Sequence, residues 1–302
     1  MTETAQKQKK KRTPLIALVV LVMLVLCGLG FVFPRGRELP VISMAAERIP
    51  IPLPLPGFQE GFPNTLPTAI LTSLILIVLA LIYNLSARRA EKTGQLNRFL
   101  VAVDTLFEGL YSFVENIARD KTRALLPLVA TFFFFILTAN WMGLLPGVGS
   151  IGLYEEHHGE RVLVPFFRGA NADLSTTLAL AIISVITVQV VGLRFQGPRY
   201  LRKFFNFSAP PNSGMVGPVL RIANGFAGLL EIISEVSKIF SFAFRLFGNI
   251  FAGEVLLIVV SFLAAFVATL PFMGLELFVG LIQALVFSML SLVFYTMATH
   301  HH

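Results

Sequence analysis

The sequence from residue 231 to residue 254 reads EIISEVSKIFSFAFRLFGNIFAGE and places five charged side chains in a segment that otherwise resembles a membrane span. Arg245 is the most informative of them, because only uncharged residues lie between Ile239 and Phe244 and between Leu246 and Gly253. An arginine at the centre of a spanning helix costs about 3 kcal/mol on insertion scales. Such a residue is expected to face a partner or a water-filled path, and a structural ion pair within the helix bundle is the alternative.

The composition indicates a polytopic membrane protein. Of the 302 residues, 55% are hydrophobic and 14% are charged, whereas soluble domains are about 25% charged. The single cysteine, Cys27, lies in an apolar run and excludes a disulfide framework or a thiolate metal site within the chain. The net charge of +7 comes from basic residues beside apolar runs. This pattern is typical of membrane orientation and does not indicate nucleic-acid binding.

Residues 15–33 form a charge-free run of 19 residues, near the length that crosses the hydrocarbon core of a bilayer. A cleaved signal peptide is the alternative, because small residues follow at positions 43–46. The run is longer than the apolar core of a usual signal peptide, which favours a retained span. Prolines recur between residues 34 and 66 and predict an extended connection on the outer side of the membrane.

Further apolar runs predict an all-α fold. They lie at 69–85, 125–145, 174–193, 225–268 and 272–298, with Pro271 marking the turn between the last two. Residues 96–117 instead repeat apolar side chains every three or four positions, which predicts an amphipathic helix that does not cross. We therefore expect about six crossings plus one amphipathic helix. The two C-terminal helices are long, and the first could reach about 65 Å, so it must tilt strongly, break or project from the membrane.

Residues 146–172 are interpreted as a polar loop, followed by Asp173 as the N-cap of the next helix. Adjacent His157 and His158 can suggest a metal site, but no further ligands follow at a defined spacing. An exposed loop is the preferred interpretation, and neither a metal nor a cofactor is predicted.

The distribution of basic residues predicts the orientation. If the N-terminal tail is cytoplasmic and the spans alternate, 17 Lys and Arg side chains fall on the cytoplasmic side and 5 fall outside. This asymmetry agrees with the positive-inside rule. It places both termini in the cytoplasm.

The polar residues of the last two helices predict a path from the outer surface. At 100° per residue, Asn249 shares the face of Arg245, whereas Glu254 points to the opposite side of the helix. On the last helix, Glu276 and Gln283 lie on one face, two turns apart. If the helices form a hairpin, both glutamates fall in the outer half and Gln283 approaches the depth of Arg245. Structural hydrogen bonding between Glu254 and Glu276 is the alternative.

A second polar stripe lies on the inner side of the first long helix. It contains Glu231 and Glu235, together with Ser234, Ser237 and Ser241. Carboxylates in an apolar wall can exchange protons near neutral pH. Surface salt bridges with Lys238 and close helix packing at the serines are the alternative interpretations.

Several of these stretches closely resemble the a subunit of F-type ATP synthases. The most specific is AFRLFGNIFAGE at 243–254 with LIQALVF at 281–287, and PLVATFFFFILTANWMGLLPG and ANADLSTTLALAI resemble earlier spans of that family. The resemblance covers roughly residues 60–299. It divides the chain into residues 1–66, which hold the tail, the extra span and the connection, and residues 67–302, which form the channel domain.

The resemblance implies a non-catalytic, proton-translocating stator subunit in a bacterial inner membrane. Arg245 would face the carboxylate of a rotating c-subunit ring and separate two offset half-channels. The outer half-channel would use Glu254, Glu276, Asn249 and Gln283, and the inner one Glu231, Ser234 and Ser241. The implied partners are the c-ring, the peripheral-stalk b subunits, the rest of the ATP synthase and membrane lipids, with no nucleic acid. Nucleotide chemistry would belong to other subunits.

Two other classes compete with this interpretation. A self-contained secondary transporter would favour an internal repeat and broken helices around a midplane pocket, and no convincing repeat is present. A membrane-embedded enzyme would need a clustered nucleophile and base or a set of metal ligands, which the sequence does not offer.

Overall fold

The computed structural model describes residues 44–51, 61–94, 96–145, 148–149, 151–157, 160–204 and 217–299, and the span predicted at 15–33 lies outside them. Within these ranges the helices are α1 (Thr65–Thr93), α2 (Arg98–Ala118), α3 (Thr122–Gly143), α4 (Leu174–Gln196) and α5 (Gly217–Thr299). The predicted α-helical, multi-pass architecture is confirmed. Five helical segments of the described ranges are long and apolar enough to cross a membrane: Thr65–Thr93, Arg98–Gly143, Leu174–Lys203, Arg221–Leu263 and Thr269–Thr299.

Helix α5 folds back on itself. In a straight helix Gly253 and Glu276 would be about 34 Å apart, yet a Cβ atom built at Gly253 would overlap the Glu276 carboxylate. Because Ser261 Oγ and Thr269 Oγ1 are only 3.3 Å apart, the chain reverses between these two residues. We call Arg221–Leu263 the first arm and Thr269–Thr299 the second arm.

The reversal comes a few residues before the predicted turn at Pro271. Pro271 instead lies in the first turn of the second arm. Proline is tolerated in a first turn, because the N–H that it lacks has no helical partner there. Proline therefore marks the start of the second arm and not the reversal itself.

The core lies between α3, α4 and the two arms. The Phe242 ring of the first arm is 5.0 Å from Phe287 of the second arm, and Phe132 of α3 is 5.5 Å from the same Phe287 ring. Ser184 of α4 and Ser291 of the second arm share a buried hydrogen bond of 2.7 Å between their hydroxyls. The second arm is therefore the central element, with the first arm on one side and α3 and α4 on the other.

Helix α2 is amphipathic, as predicted. It buries Leu110, Val114 and Ala118 against the core. Its link to α1 is a hydrogen bond of 2.7 Å that the Tyr83 hydroxyl donates to Asp104 Oδ1.

Four short strands are present in the connections. β1 (Arg48–Ile49) pairs with β2 (Phe62–Pro63), and β3 (Gly152–His157) pairs antiparallel with β4 (Glu160–Pro165). The prediction of a plain polar loop at 146–172 is therefore wrong for the residues of β3 and β4. The sequence ERVLVP of β4 contains two β-branched valines, which favour a strand over a loop.

The molecule has two poles. The hairpin pole contains the four strands, the first turns of α1 and α4, and the reversal of α5. The basic pole contains the 3-10 turns Arg119–Lys121 and Gly197–Lys203 and the end of α5. At the basic pole, Lys121 Nζ donates to the Thr299 carbonyl (2.6 Å) and Gln196 Nε2 to the Ala298 carbonyl (2.8 Å), which caps the second arm.

Candidate ion-translocation site

Arg245 lies on the exposed face of the first arm. The neighbouring Ala243 and Leu246 are buried in the core, whereas Phe244 and Arg245 are exposed. Its one hydrogen bond within the described residues is a long contact of 3.5 Å from Nη2 to Ser241 Oγ, and no described carboxylate is within ion-pair distance of it. The guanidinium therefore points away from its own bundle.

Asn249 is also exposed, on the same face as Arg245. Gln283 of the second arm is half-buried. Ser234 and Ser241 of the first arm are exposed too, and Ser241 lies beside Arg245. Ser241 thus shares the surroundings of the arginine, whereas Ser234 directly precedes Glu235 in the chain.

Glu254 faces the other way and pairs with Arg168, which precedes α4 in the chain. Arg168 Nε donates to Glu254 Oε1 (3.0 Å) and Oε2 (3.2 Å), and Nη2 donates to Oε2 (3.0 Å). Arg168 is only 7% exposed. Bidentate arginine–carboxylate pairs are among the strongest hydrogen-bonded contacts in proteins. Arg168 is one of the five basic residues that the sequence places on the outer side of the membrane.

Glu276 packs against the backbone of the first arm. The absence of a side chain at Gly253 makes room for its carboxylate, and Glu276 is only 6% exposed. Within the described part of the chain, no cation lies within ion-pair distance of this carboxylate. Glu254 and Glu276 thus lie at neighbouring positions of the two arms, one of them paired with a cation and the other not.

Two sets of buried polar contacts lie at the hairpin pole. Asn171 Nδ2 donates to Asn140 Oδ1 (2.7 Å), and Asn140 Nδ2 donates to the Gly280 carbonyl of the second arm (2.9 Å). Asp173 caps α4 by accepting from Ser175 N (2.9 Å), which confirms the predicted N-cap, and also accepts from Thr65 Oγ1 of α1 (2.9 Å). The first set joins the turn before α4 to α3 and the second arm, and the second set joins the start of α4 to α1.

Several buried polar atoms near these contacts have no hydrogen-bond partner within the described part of the chain. Asn64 is fully buried, and neither its amide oxygen nor its amide nitrogen has a hydrogen-bond partner among the protein atoms. Thr68 Oγ1 and Asn171 Oδ1 are likewise buried without one. Since buried polar groups are normally satisfied by protein or by ordered water, this pole offers places for water molecules close to Arg168.

The basic pole holds a second charged cluster. Lys203 Nζ lies 3.0 Å from Glu231 Oε1 and 2.9 Å from Glu235 Oε1, and Lys238 Nζ lies 2.9 Å from the same Glu235 oxygen. Glu235 is 7% exposed. These contacts agree with the salt-bridge interpretation of Glu231, Glu235 and Lys238, and they add Lys203 from the turn after α4. Lys203 also lies over the rings of Tyr200 and Phe204, at 4.9 Å from each centroid.

The two clusters flank Arg245 symmetrically along the first arm. Glu235 lies ten residues before Arg245 and Glu254 nine residues after it, which is about 15 Å and 13.5 Å of helix. Their separation is close to the hydrocarbon thickness of about 30 Å. The exposed arginine therefore lies about midway between the two charged clusters along the first arm.

Together these features define a multi-pass α-helical membrane protein with intramembrane charges at two poles and an exposed arginine between them. The family model for the ATP synthase A chain matches residues 68–296. The chain belongs to this family, the a subunits of the ATP synthase membrane sector.

Known relatives agree with this assignment. ATP synthase subunit a of Syntrophobacter fumaroxidans is 31% identical over 265 residues, covering 86% of this chain and 96% of the relative. The subunit a of Desulfosudis oleivorans is 30% identical over 247 residues, covering 81% and 93%. That of Moorella thermoacetica is 32% identical over 201 residues, covering 66% and 76%.

Proposed function

We propose that this chain is the proton-conducting stator subunit of an F-type ATP synthase, with two offset half-channels that meet at Arg245. A rotating ring of c subunits carries protons between them on its own carboxylates. The hairpin pole faces the outside of a bacterial inner membrane and the basic pole faces the cytoplasm, together with both termini. Peripheral-stalk b subunits hold the chain against rotation.

The exposure of Arg245 is the observation that carries this proposal. A permanently charged side chain near mid-membrane is costly unless a counter-charge meets it, and no described residue of this chain supplies one. A carboxylate on a neighbouring subunit fits that requirement. When such a carboxylate approaches, the arginine favours its ionised form and so promotes release of its proton. Because arginine does not deprotonate in proteins, it does not relay the proton itself and separates the two half-channels.

The outer half-channel leads from the hairpin pole to the face of Arg245. Glu254 and Glu276 stand at its entrance, with buried polar groups beside them that can hold water. Gln283 and Asn249 continue towards the depth of the arginine. The polarity decreases along this path, from the paired charge at its entrance to the neutral amides near the arginine.

The inner half-channel begins at Glu231 and follows the exposed face of the first arm through Ser234 and Ser241. Glu231 is the more exposed glutamate of the basic cluster, with 37% of its side chain accessible against 10% for Glu235. The serines lie on the same exposed side as Arg245. This path runs along the surface that the ring covers.

Substitution of Arg245 tests the proposal. Arg245→Ala in the complete ATP synthase is expected to abolish ATP-driven proton pumping into membrane vesicles, while the chain still assembles in normal amounts. Arg221→Ala is the matched control, since Arg221 is an exposed arginine of the same arm. It should pump like the wild type. Glu254→Gln should slow pumping without abolishing it, because Glu276 and water remain.

Two results would contradict the proposal. The first is coupled pumping by Arg245→Ala at the level of Arg221→Ala. The second is wild-type pumping by Glu254→Gln, which would remove Glu254 from the outer path.

A further inference from the structure

Arg168 is a buried basic side chain near the outer path, and the route described above gives it no role. It lies in the turn between β4 and α4, outside the spanning segments. A buried guanidinium needs partners for all of its donors. The identity of those partners therefore indicates what the residue does.

The contacts of Arg168 fix its side chain in one geometry. Nε and Nη2 are directed to the two oxygens of Glu254, and Nη1 donates to the Ala45 carbonyl (3.0 Å). The Arg168 backbone N–H donates to the Asn64 carbonyl (3.3 Å). Arg168 thus connects the first arm to the segment before β1 and to the start of α1.

We infer that Arg168 is a positioning residue, which holds the Glu254 carboxylate at the entrance of the outer half-channel. This inference rests on the proposed function, because it assigns Arg168 a role only through Glu254. A fork of parallel N–H donors determines both the position and the rotation of a carboxylate, which a single lysine ammonium cannot do.

The charges around Glu254 and Glu276 assign different roles to the two glutamates. Glu254 is held by Arg168. The Glu276 carboxylate lies against Gly253 and has no cation within ion-pair distance among the described residues. Asp173, the next carboxylate at this pole, is engaged by Ser175 and Thr65. Glu254 is therefore the carboxylate held in place at the entrance, and Glu276 is the group available to exchange a proton with water.

A double-mutant cycle in the complete ATP synthase tests this assignment. Arg168→Ala and Glu254→Gln should each reduce ATP-driven pumping by roughly tenfold, the effect of losing one charge-assisted hydrogen bond. The double variant should be reduced by roughly tenfold as well, and not by the roughly hundredfold of two independent losses. Arg48→Ala, at an exposed arginine of the same pole, serves as the control and should leave pumping unchanged.

The conservative replacement separates positioning from general support of the fold. Arg168→Lys keeps the positive charge but loses the fork, and it should retain more pumping than Arg168→Ala at equal content of the chain in purified complexes. Rates are therefore normalised to that content.

A roughly hundredfold loss of pumping in the double variant would overturn the inference. Wild-type pumping by Arg168→Ala would overturn it too, if Glu254→Gln pumps more slowly than the wild type. Wild-type pumping by Glu254→Gln would instead overturn the proposed function itself. The two failures are therefore distinguishable in one experiment.

Discussion

Replacement of Gly253 by alanine tests whether pumping depends on the position of the Glu276 carboxylate in the proposed outer path. A Cβ atom at Gly253 would overlap the carboxylate of Glu276, which lies against the first arm at this point. The obstructed group is the far end of a flexible side chain, so Glu276 can move aside without displacing backbone. The substitution therefore shifts the Glu276 carboxylate and leaves the helices in place.

The size of the effect follows from the geometry. An ordinary non-bonded contact is about 3.5 Å, and the carboxylate must withdraw by roughly 1 Å or more to reach it. A misplacement of about 1 Å can lower the rate of a positioned reaction by roughly a hundredfold. Alanine is a better helix former than glycine by about 1 kcal/mol, so the folded subunit should not become less stable. We expect pumping to fall by roughly ten- to a hundredfold with normal assembly.

The assay compares ATP-driven pumping in membrane vesicles with the thermal stability of the purified complex. Gly274→Ala is the matched control, because Gly274 lies two residues from Glu276 and a Cβ there meets no atom within 4 Å. It should leave pumping unchanged. Wild-type pumping by Gly253→Ala would refute the reasoning, and so would a loss of pumping that merely follows loss of the subunit from the complex.

Two further predictions concern the anchoring of the helices. Lys203→Ala leaves Glu235 with one cation in place of two and should lower the free energy of unfolding by about 1–3 kcal/mol, measured as a lower thermal transition temperature of the complex in detergent. Arg202→Ala, at its exposed neighbour, should leave this temperature unchanged. An equal shift for both variants would contradict this account. Asp173→Ala removes the cap of α4 and the partner of the buried Thr65 hydroxyl. It should lower the free energy of unfolding by about 2 kcal/mol in the same measurement, with a smaller loss for Asp173→Asn. An unchanged transition temperature would show that the cap does not stabilise the fold.

Most of the helical architecture could be predicted from the sequence, because apolar runs and their periodicity report directly on burial. The spans, the amphipathic helix α2 and the cap at Asp173 all follow from local patterns of this kind. The hairpin β3–β4 was missed, since its strands are short and carry polar residues that also suit a loop. The reversal of α5 was placed at Pro271 because proline is a strong breaker, although it is tolerated in the first turn of a helix.

The candidate site was less predictable than the fold. Arg245 and the glutamates stand out because charge is rare in apolar segments. Arg168 and Lys203 lie in polar connections where charge is ordinary, so their contacts with Glu254 and Glu235 depend on tertiary structure. Only the packing of the connections onto the arms brings these residues together.

The fastening of the second arm has a mechanical consequence. Near the hairpin pole, Asn140 and Trp141 donate to its Gly280 and Leu277 carbonyls. At the basic pole Lys121 and Gln196 grip its last turn, about 30 Å further along the axis. A rod held near both ends resists sliding and rolling. In the proposed complex, a sideways force from the ring on the first arm would pass through Phe242 and Phe287 to the second arm, whose two anchored ends would resist bending of the subunit.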